Sequence, residues 1–443
     1  MSHRRILNGA AANIYGQIVT IGTQLLGVPI LIAGWGLGGF GLWTLVSAVP
    51  IMLISLDFGY SAAAAGMMSR AIAREDEFDA LVSLQSAALV IFGIVAALLG
   101  MAVSTQFLPG GGQFHAFAGL AAEDVATAVH MLPFMLAYIA ISLVSGLVNA
   151  VYRVNGHYVT GVMIFETGRL IEQMLIMACA FSGGSLVMAS ILMVGSRLTF
   201  TMLSTLRMLH VTPWVRLSLS HASRERLRQL FRPAMGAMFI PLCILAGVQG
   251  VTFAVGLFLS PAIAGGFATI RVLYRMVVQI VGTLTRATVP DFAIVYAKGD
   301  IETQRKIARF TVAALFLGAA TGTGGVLLLG PTFIHSWTHG HVQIPYLIYI
   351  ILASHAFFGC LWNGLSNLLA GLNLHPRYVP QLILWNLLGI GSIFFLIDSG
   401  GLTVAALSLA FIDICSFASV WRIWRTVATS PPHSPAKLSP VSP

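Results

Sequence analysis

Predominantly apolar stretches of about twenty residues, the length a helix needs to cross roughly 30 Å of hydrocarbon, recur along the whole chain. Their centres lie near residues 22, 50, 92, 138, 171, 196, 246, 275, 319, 356, 387 and 412. No other feature restricts the fold as strongly. Inside a bilayer the backbone must satisfy its own hydrogen bonds, and continuous apolar runs of this length do so as helices. Charge is scarce enough to exclude the alternative: 9% of the 443 residues are charged, against about 25% in a soluble domain, and mean hydropathy is +0.87. So few charges cannot cover a water-facing surface. The sequence therefore predicts an all-α polytopic membrane protein of about twelve transmembrane helices. The first stretch follows Arg4 and Arg5 as a signal peptide would, but it contains Asn13, Gln17 and Gln24 and runs too long before any small-residue cleavage site. It is retained as a first helix.

Lys and Arg in short loops stay on the cytoplasmic side, and here they alternate with the spans. They occur at Arg4 and Arg5, Arg70 and Arg74, Arg153, Arg216 to Arg232, Lys298 to Arg309, Arg377, and Arg422 to Lys437. The intervening connections, such as residues 105–124, 182–185 and 333–343, contain neither. Both termini are therefore expected in the cytoplasm of a multi-pass inner-membrane protein. The net charge of +9 is largely this orientation signal, so no nucleic-acid partner is inferred. The acidic run Glu75, Asp76, Glu77 and Asp79 reads as a solvated loop. Four scattered cysteines, Cys179, Cys243, Cys360 and Cys415, suggest neither a zinc site nor a disulfide framework, and neither metal nor cofactor is expected.

A weak repeat divides the chain. Gly38-Gly39-Phe40 leads into the second span and Gly265-Gly266-Phe267 into the eighth, a shift of about 227 residues. Asn155-Gly-His157-Tyr158-Val159 after the fourth span is echoed by Asn373-Leu-His375-Pro-Arg-Tyr378-Val379 after the tenth. An offset of six helices keeps orientation, so the halves would be parallel six-helix lobes related by an axis along the membrane normal. The expected division is residues 1–210 and 233–426 as lobes, 211–232 as a basic cytoplasmic connection and 427–443 as a disordered tail rich in Pro and Ser.

Polar groups at membrane depth are costly and face a partner or an aqueous cavity. At about 100° per residue, Arg271, Arg275, Gln279, Gly282 and Arg286 fall within about 80° on the eighth span. This is a cationic stripe roughly 22 Å long, running from mid-membrane to the cytoplasmic edge. Snorkelling accounts for Arg286 more readily than for the deeper Arg271 and Arg275. A second stripe, Asn13, Gln17, Thr20 and Gln24, lies on the first span. Interhelical hydrogen bonding and cavity lining compete as readings of each residue, and for the stripe as a whole a cavity is favoured. In the fifth span Glu166 and Arg169 are spaced to neutralise each other, and Glu172 is a candidate partner for Arg197 on the sixth. Asp57, His355 and Asp413 are isolated ionisable groups that would couple an ion or accept from a neighbouring helix. For His355 a hydrogen-bonded interior histidine is the preferred reading.

No catalytic constellation emerges: the sequence holds no Walker A sequence, no H-E-x-x-H and no G-x-S-x-G. Its connections are too short for a soluble ATPase domain. Transport would have to draw on an ion gradient, the membrane potential or the substrate's own gradient.

Gly27-Val-Pro29-Ile-Leu, Trp35-Gly-Leu-Gly-Gly-Phe-Gly-Leu-Trp43 and Leu56-Asp57-Phe-Gly59-Tyr resemble the opening two helices of the polysaccharide transporters, including the O-antigen flippases. These belong to the multidrug, oligosaccharidyl-lipid and polysaccharide exporter superfamily. Thr288-Val-Pro290-Asp291-Phe and Tyr296-Ala-Lys-Gly299-Asp300 are similar to the corresponding region of the same superfamily. The resemblance implies two six-helix lobes around a central cavity open alternately to each side. It implies translocation of an undecaprenyl-diphosphate-linked oligosaccharide for lipopolysaccharide or other surface glycans, with membrane lipids, a polysaccharide polymerase and chain-length machinery as partners. In that setting Arg271, Arg275 and Arg286, with Gln279, would meet the diphosphate, because the planar guanidinium binds phosphate oxygens bidentately. Asn13, Gln17 and Gln24 would meet sugar hydroxyls. The deep acids Asp57, Glu166, Glu172 and Asp413 leave the sign of the cavity open. A multidrug and toxin extrusion type antiporter is the rival within transport, though a pump for organic cations wants an acidic or aromatic cavity. An integral-membrane glycosyltransferase or polymerase is the rival outside it. Such enzymes generally need long outer loops, and the outer connections here offer little beyond Glu123 and Asp124.

The charge alternation is tested by single cysteines on a background lacking the four natural ones, labelled in intact cells with an impermeant reagent. Positions near 113 and 339 should label from outside. Labelling near 222 from outside would refute the orientation.

Overall fold

The computed structural model describes residues 3–54, 59–105, 121–372 and 374–429. Asp57, the loop 106–120 and the tail from 430 onward lie outside the described residues. Among the described residues all regular structure is helical, in the order α1 (His3–Ile54), α2 (Tyr60–Ile72), α3 (Glu77–Ser104), α4 (Ala122–Val154), α5 (Tyr158–Phe181), α6 (Leu186–Val211), α7 (Arg224–Leu245), α8 (Val251–Phe258), α9 (Pro261–Lys298), α10 (Ile301–Trp337), α11 (Tyr346–Gly371) and α12 (Val379–Thr429). Eight of these are long and apolar enough to cross a membrane. The apparent shortfall against twelve has two sources. α1 and α12 each contain two spans, broken at Gly36 (φ 70°, ψ 174°) and Gly401 (φ 54°, ψ −139°). α5 and the pair α7–α8 fall below a purely apolar criterion because of their charge or length. The expected multi-pass helical membrane fold of about twelve helices is what the chain forms.

Gly36 carries a φ that L side chains rarely adopt, and its ψ places it in a region open essentially to glycine alone. The backbone thereby reverses within the Trp35-Gly-Leu-Gly-Gly-Phe motif. Trp35 Nε1 donates to the Gly184 carbonyl at 2.7 Å, fastening this turn to the α5–α6 turn, where Gly183 also has a positive φ of 75°. A proline supplies no amide donor within a helix, and Pro241 of α7 is followed one turn later by the π-helical turn Ala246–Gly250 that joins α7 to α8. Such turns commonly accompany helix irregularity of this kind.

The helices separate into two compact units, Met1–Gly266 and Phe267–Pro443. In the first, α2, α3 and α4 share a core of small and flexible residues, among them Ala64, Met68, Ala71, Ala87, Ile91 and Ile139. Small side chains let helices approach closely in lipid, where packing rather than water exclusion drives association. In the second, α11 packs on both α10 and α12.

The acidic run expected as a solvated loop has structural duties. Asp76 caps α3 by accepting from the Asp79 amide at 2.8 Å. Asp79, in the first turn, draws Arg74 at 3.2 Å and also Arg226 of α7. An unpaired helix N-terminus favours acid in its first turn, and here that acid recruits the basic connection. The same connection is docked by the His221 amide donating to Gln85 Oε1 at 2.8 Å and the Ser223 amide to Ser86 Oγ at 3.0 Å. Asp300 caps α10 in the same manner, accepting from the Thr303 amide at 3.0 Å. The hydrogen bonds from Thr303 hold its carboxyl below the usual aspartate value.

Gly36 isolates backbone strain from packing, since a Cβ there meets nothing within 4 Å. Gly36→Ala should cost about 1–3 kcal/mol, read as a lower midpoint in thermal unfolding of the purified protein. Gly38→Ala, which also enters open space and has no positive φ, should leave the midpoint unchanged.

Candidate functional site

Two polar seams lie within the helical bundles, one in each unit. In the first, the stripe on the opening half of α1 faces α5. Tyr158 Oη donates to Asn13 Oδ1 at 2.8 Å, and Tyr15 Oη and Thr167 Oγ1 share a hydrogen bond of 3.0 Å. Arg169 donates to the Gly16 carbonyl at 3.1 Å and to Thr20 Oγ1, and pairs with Glu166 one turn away. Gly16 makes this approach possible, because a Cβ there would lie 3.1 Å from Glu166 Cδ. Asn13 and Thr20 of the stripe thus bond across helices. Gln17 is half-buried, and Gln24, also half-buried, has an amide oxygen shielded from solvent without a hydrogen-bond partner.

One face further round α5, Glu172 is only 3% exposed. Arg197 of α6 donates to it, with Nη2 at 2.9 Å from Oε2 and 3.2 Å from Oε1. Tyr138 of α4 donates its hydroxyl to Oε1 at 2.9 Å, and the guanidinium lies 4.9 Å from the Tyr138 ring centre. The triangle joins three helices and satisfies both carboxylate oxygens. Sequence reasoning paired Glu172 with Arg197 and missed Tyr138, whose only signal was a hydroxyl in the middle of an apolar span.

In the second unit the α9 stripe begins with Arg271, which is 8% exposed, its guanidinium 5.4 Å from the Phe267 ring centre. Arg275, one turn along, is exposed. Gln279 follows, half-buried, with an amide oxygen shielded and without a hydrogen-bond partner. The Arg286 side chain lies outside the described residues, although its backbone is part of α9. Tyr274 is fully buried and donates to the Tyr349 carbonyl of α11 at 2.7 Å, which holds this part of α9 against α11.

Asp413 of α12 does not stand isolated. His355 Nδ1 lies 2.6 Å from its Oδ2, and Trp362 Nε1 donates to its Oδ1 at 2.8 Å. Gly359 leaves room for the carboxylate, since a Cβ there would lie 2.9 Å from Oδ2. Trp362 was the partner sequence reasoning missed; a tryptophan seven residues after a histidine shares its helix face. Among the described residues no group of three His, Cys, Asp or Glu is placed to hold a metal ion.

No family model matches the sequence, and no curated protein matches it. Solved structures do. A multidrug resistance MATE family transporter of the MOP superfamily, in an inward-facing conformation, superposes with TM-score 0.72 at 15% identity, covering 93% of each chain. The chain shares the fold of this transporter. The lipid II flippase MurJ, inward closed, matches at TM-score 0.70 and 14% identity over 94% of this chain and 87% of that one. A eukaryotic MATE transporter matches at 0.62 and 14% over 97% and 98%. At these identities the shared property is the fold.

Within this fold the Glu172–Arg197–Tyr138 triangle should act as structure. Arg197→Ala leaves a buried carboxylate uncompensated and should cost about 3–5 kcal/mol, seen as a lowered thermal midpoint and reduced accumulation. Combining Glu172→Met with Arg197→Leu should recover most of that loss. A double variant no more stable than Arg197→Ala would show that the pair is not the source.

Proposed function

We propose that this protein moves an undecaprenyl-diphosphate-linked oligosaccharide across the bacterial inner membrane by alternating access, in the synthesis of a surface polysaccharide such as O-antigen. The observation that carries the reading is Arg271: a guanidinium 8% exposed at membrane depth, with a second arginine one turn along the same face. A diphosphate entering a low-dielectric space needs positive charge, and the guanidinium fork matches phosphate oxygens bidentately. Gln279 beside them holds a shielded amide oxygen without a donor. Sugar hydroxyls are donors of the required kind.

Two further points support the reading. One solved structure sharing the fold is a lipid II flippase. The competing reading, an antiporter for organic cations, needs an acid for the cation. The three deep carboxylates described, Glu166, Glu172 and Asp413, are already engaged by Arg169, Arg197 and His355. A cation would have to displace one of these partners. On the proposed reading the termini and basic loops are cytoplasmic, and a polymerase with its chain-length machinery receives the product on the other side.

Replacing Arg271 or Arg275 by Ala removes a charge-assisted contact, typically worth roughly 1.5–3 kcal/mol. Surface glycan should fall about tenfold or more while the protein still accumulates in the membrane. Lys should rescue in part, keeping the charge and losing the fork. Protein level and lipid-linked intermediate on each leaflet are measured separately. Normal translocation by the Arg271→Ala, Arg275→Ala double variant would sink the assignment.

A further inference from the structure

In the first unit, a groove of about 300 Å³ lies between α3, α4 and α6, where the basic connection from α6 to α7 borders it. Its walls follow from helix direction. α3 begins at this basic end and α4 finishes there, so Ala88 and Phe92 of α3 lead away from the connection alongside Val151 and Val144 of α4. From Leu84 to Phe92 the wall extends roughly 12 Å along the helix. The connection contributes Arg216, Leu217 and Leu219. Arg216 is the one charged residue among the described lining residues, and no Asp or Glu joins it. None of the ion pairs among the described residues includes Arg216.

The connection is fastened by groups that leave these side chains outside. Gln85, 1% exposed, accepts from the His221 amide at 2.8 Å and donates to the Arg216 carbonyl at 3.4 Å. Trp214 Nε1 donates to Asn155 Oδ1 at 3.0 Å, and Asn155 Nδ2 donates to Thr212 Oγ1 at 3.3 Å, which ties the segment to the end of α4. Arg216 remains exposed, and Leu217 is 72% exposed.

A leucine this exposed beside an arginine suits the boundary between headgroups and acyl chains, where apolar side chains are buried and basic ones meet anionic lipid. Phe78, 62% exposed in the first turn of α3, stands edge-on to His221 of the same connection at 5.3 Å. The rim thus carries a further apolar group. Apolar walls alone would accept any acyl chain, so the headgroup must be selected by charge. A guanidinium binds phosphate oxygens, whereas an ammonium or choline group would find no acid in this lining. The volume lies at the lower end of the range for ligand pockets, about 300–1,000 Å³. It suits one chain rather than a whole lipid.

We infer that this groove binds a glycerophospholipid with one phosphate and no cationic headgroup, of the phosphatidylglycerol class, from the leaflet on the basic side. Its phosphate meets Arg216, and one acyl chain lies between α3 and α4 toward Phe92 and Val144. The site is independent of the transported substrate, and its test reads neither transport nor the α9 arginines.

Purified full-length protein in detergent is incubated with a subsaturating amount of phosphatidylglycerol bearing a diazirine in one acyl chain, or with the phosphatidylethanolamine of the same chains. After illumination, crosslinked peptides are identified by mass spectrometry. Label should fall on residues 84–92 and 144–151, about fivefold more from phosphatidylglycerol, the ratio that one arginine near a membrane surface supplies. Arg216→Ala should bring the two lipids to equal labelling, and Arg216→Lys should keep the preference. Val144→Phe, which fills a half-buried position of the groove, should cut labelling by both lipids about tenfold. Excess inorganic phosphate should change nothing, because the chain holds the lipid in place. Each variant is checked for an unchanged lipid-free melting point; should Val144→Phe lower it, the exposed Arg216 variants decide. Equal labelling of the unaltered protein by the two lipids, a preference that survives Arg216→Ala, or displacement by inorganic phosphate would overturn the proposal. So would stronger labelling of these segments by a photoreactive undecaprenyl phosphate.

Discussion

Hydrocarbon offers no hydrogen bonds, and the rest of this structure follows from that. Each pass must be helical to satisfy its backbone, and each ionisable side chain at depth must meet a partner from another element or another turn. For its described deep carboxylates Glu166, Glu172 and Asp413 the chain meets the second demand locally, within each unit. Arg169 answers Glu166 and reaches α1; Glu172 is closed by Arg197 and Tyr138; Asp413 is closed by His355 and Trp362. These closures join α4, α5 and α6 in one unit and α11 and α12 in the other. Polar groups that would be liabilities in lipid thereby become the specific contacts between helices that apolar packing alone would leave loosely defined.

Reversals of direction pose the complementary problem, because a turn exposes backbone. At Gly36 and Gly401 the chain turns with positive φ between two helical segments. The Trp35 indole adds a hydrogen bond to Gly184, so the turns of two helix pairs stabilise each other. On the basic side the equivalent work is done by caps and ion pairs, with Asp76 capping α3 and Asp79 gathering Arg74 and Arg226. The two ends of the helices are thus held by different chemistry, glycine and tryptophan at one, charge at the other.

The number of spans was legible in the sequence because apolar length is a local property, and Glu166 with Arg169 was legible because the pair is one turn apart. Glu172 with Arg197 could be suggested only as a match of charge. Tyr138 and Trp362 were not legible: which span lies against α5 or carries a donor toward Asp413 depends on helix neighbours, and one sequence does not encode neighbours locally. The acidic run at 75–79 looked solvated because its partner Arg226 is about 150 residues away. The groove beside Arg216 was hidden for the same reason, that arginine being indistinguishable from an orientation signal until α3, α4 and the connection are placed together. The stripe on α9 was visible from spacing alone, since a helix brings residues four apart onto one face.

The central proposal is that the cationic stripe serves a lipid-linked diphosphate and that this fold here carries a lipid-linked sugar rather than a drug. Purified protein reconstituted in vesicles, with a fluorescent undecaprenyl-diphosphate-linked oligosaccharide in both leaflets and a membrane-impermeant quencher outside, tests this most directly. The account predicts that the quencher reaches almost all of the probe when the protein is present and only the outer-leaflet share when it is absent. It also predicts no exchange of an organic cation such as ethidium for an imposed ion gradient. Ethidium movement with the lipid-linked probe left in its leaflet would contradict it.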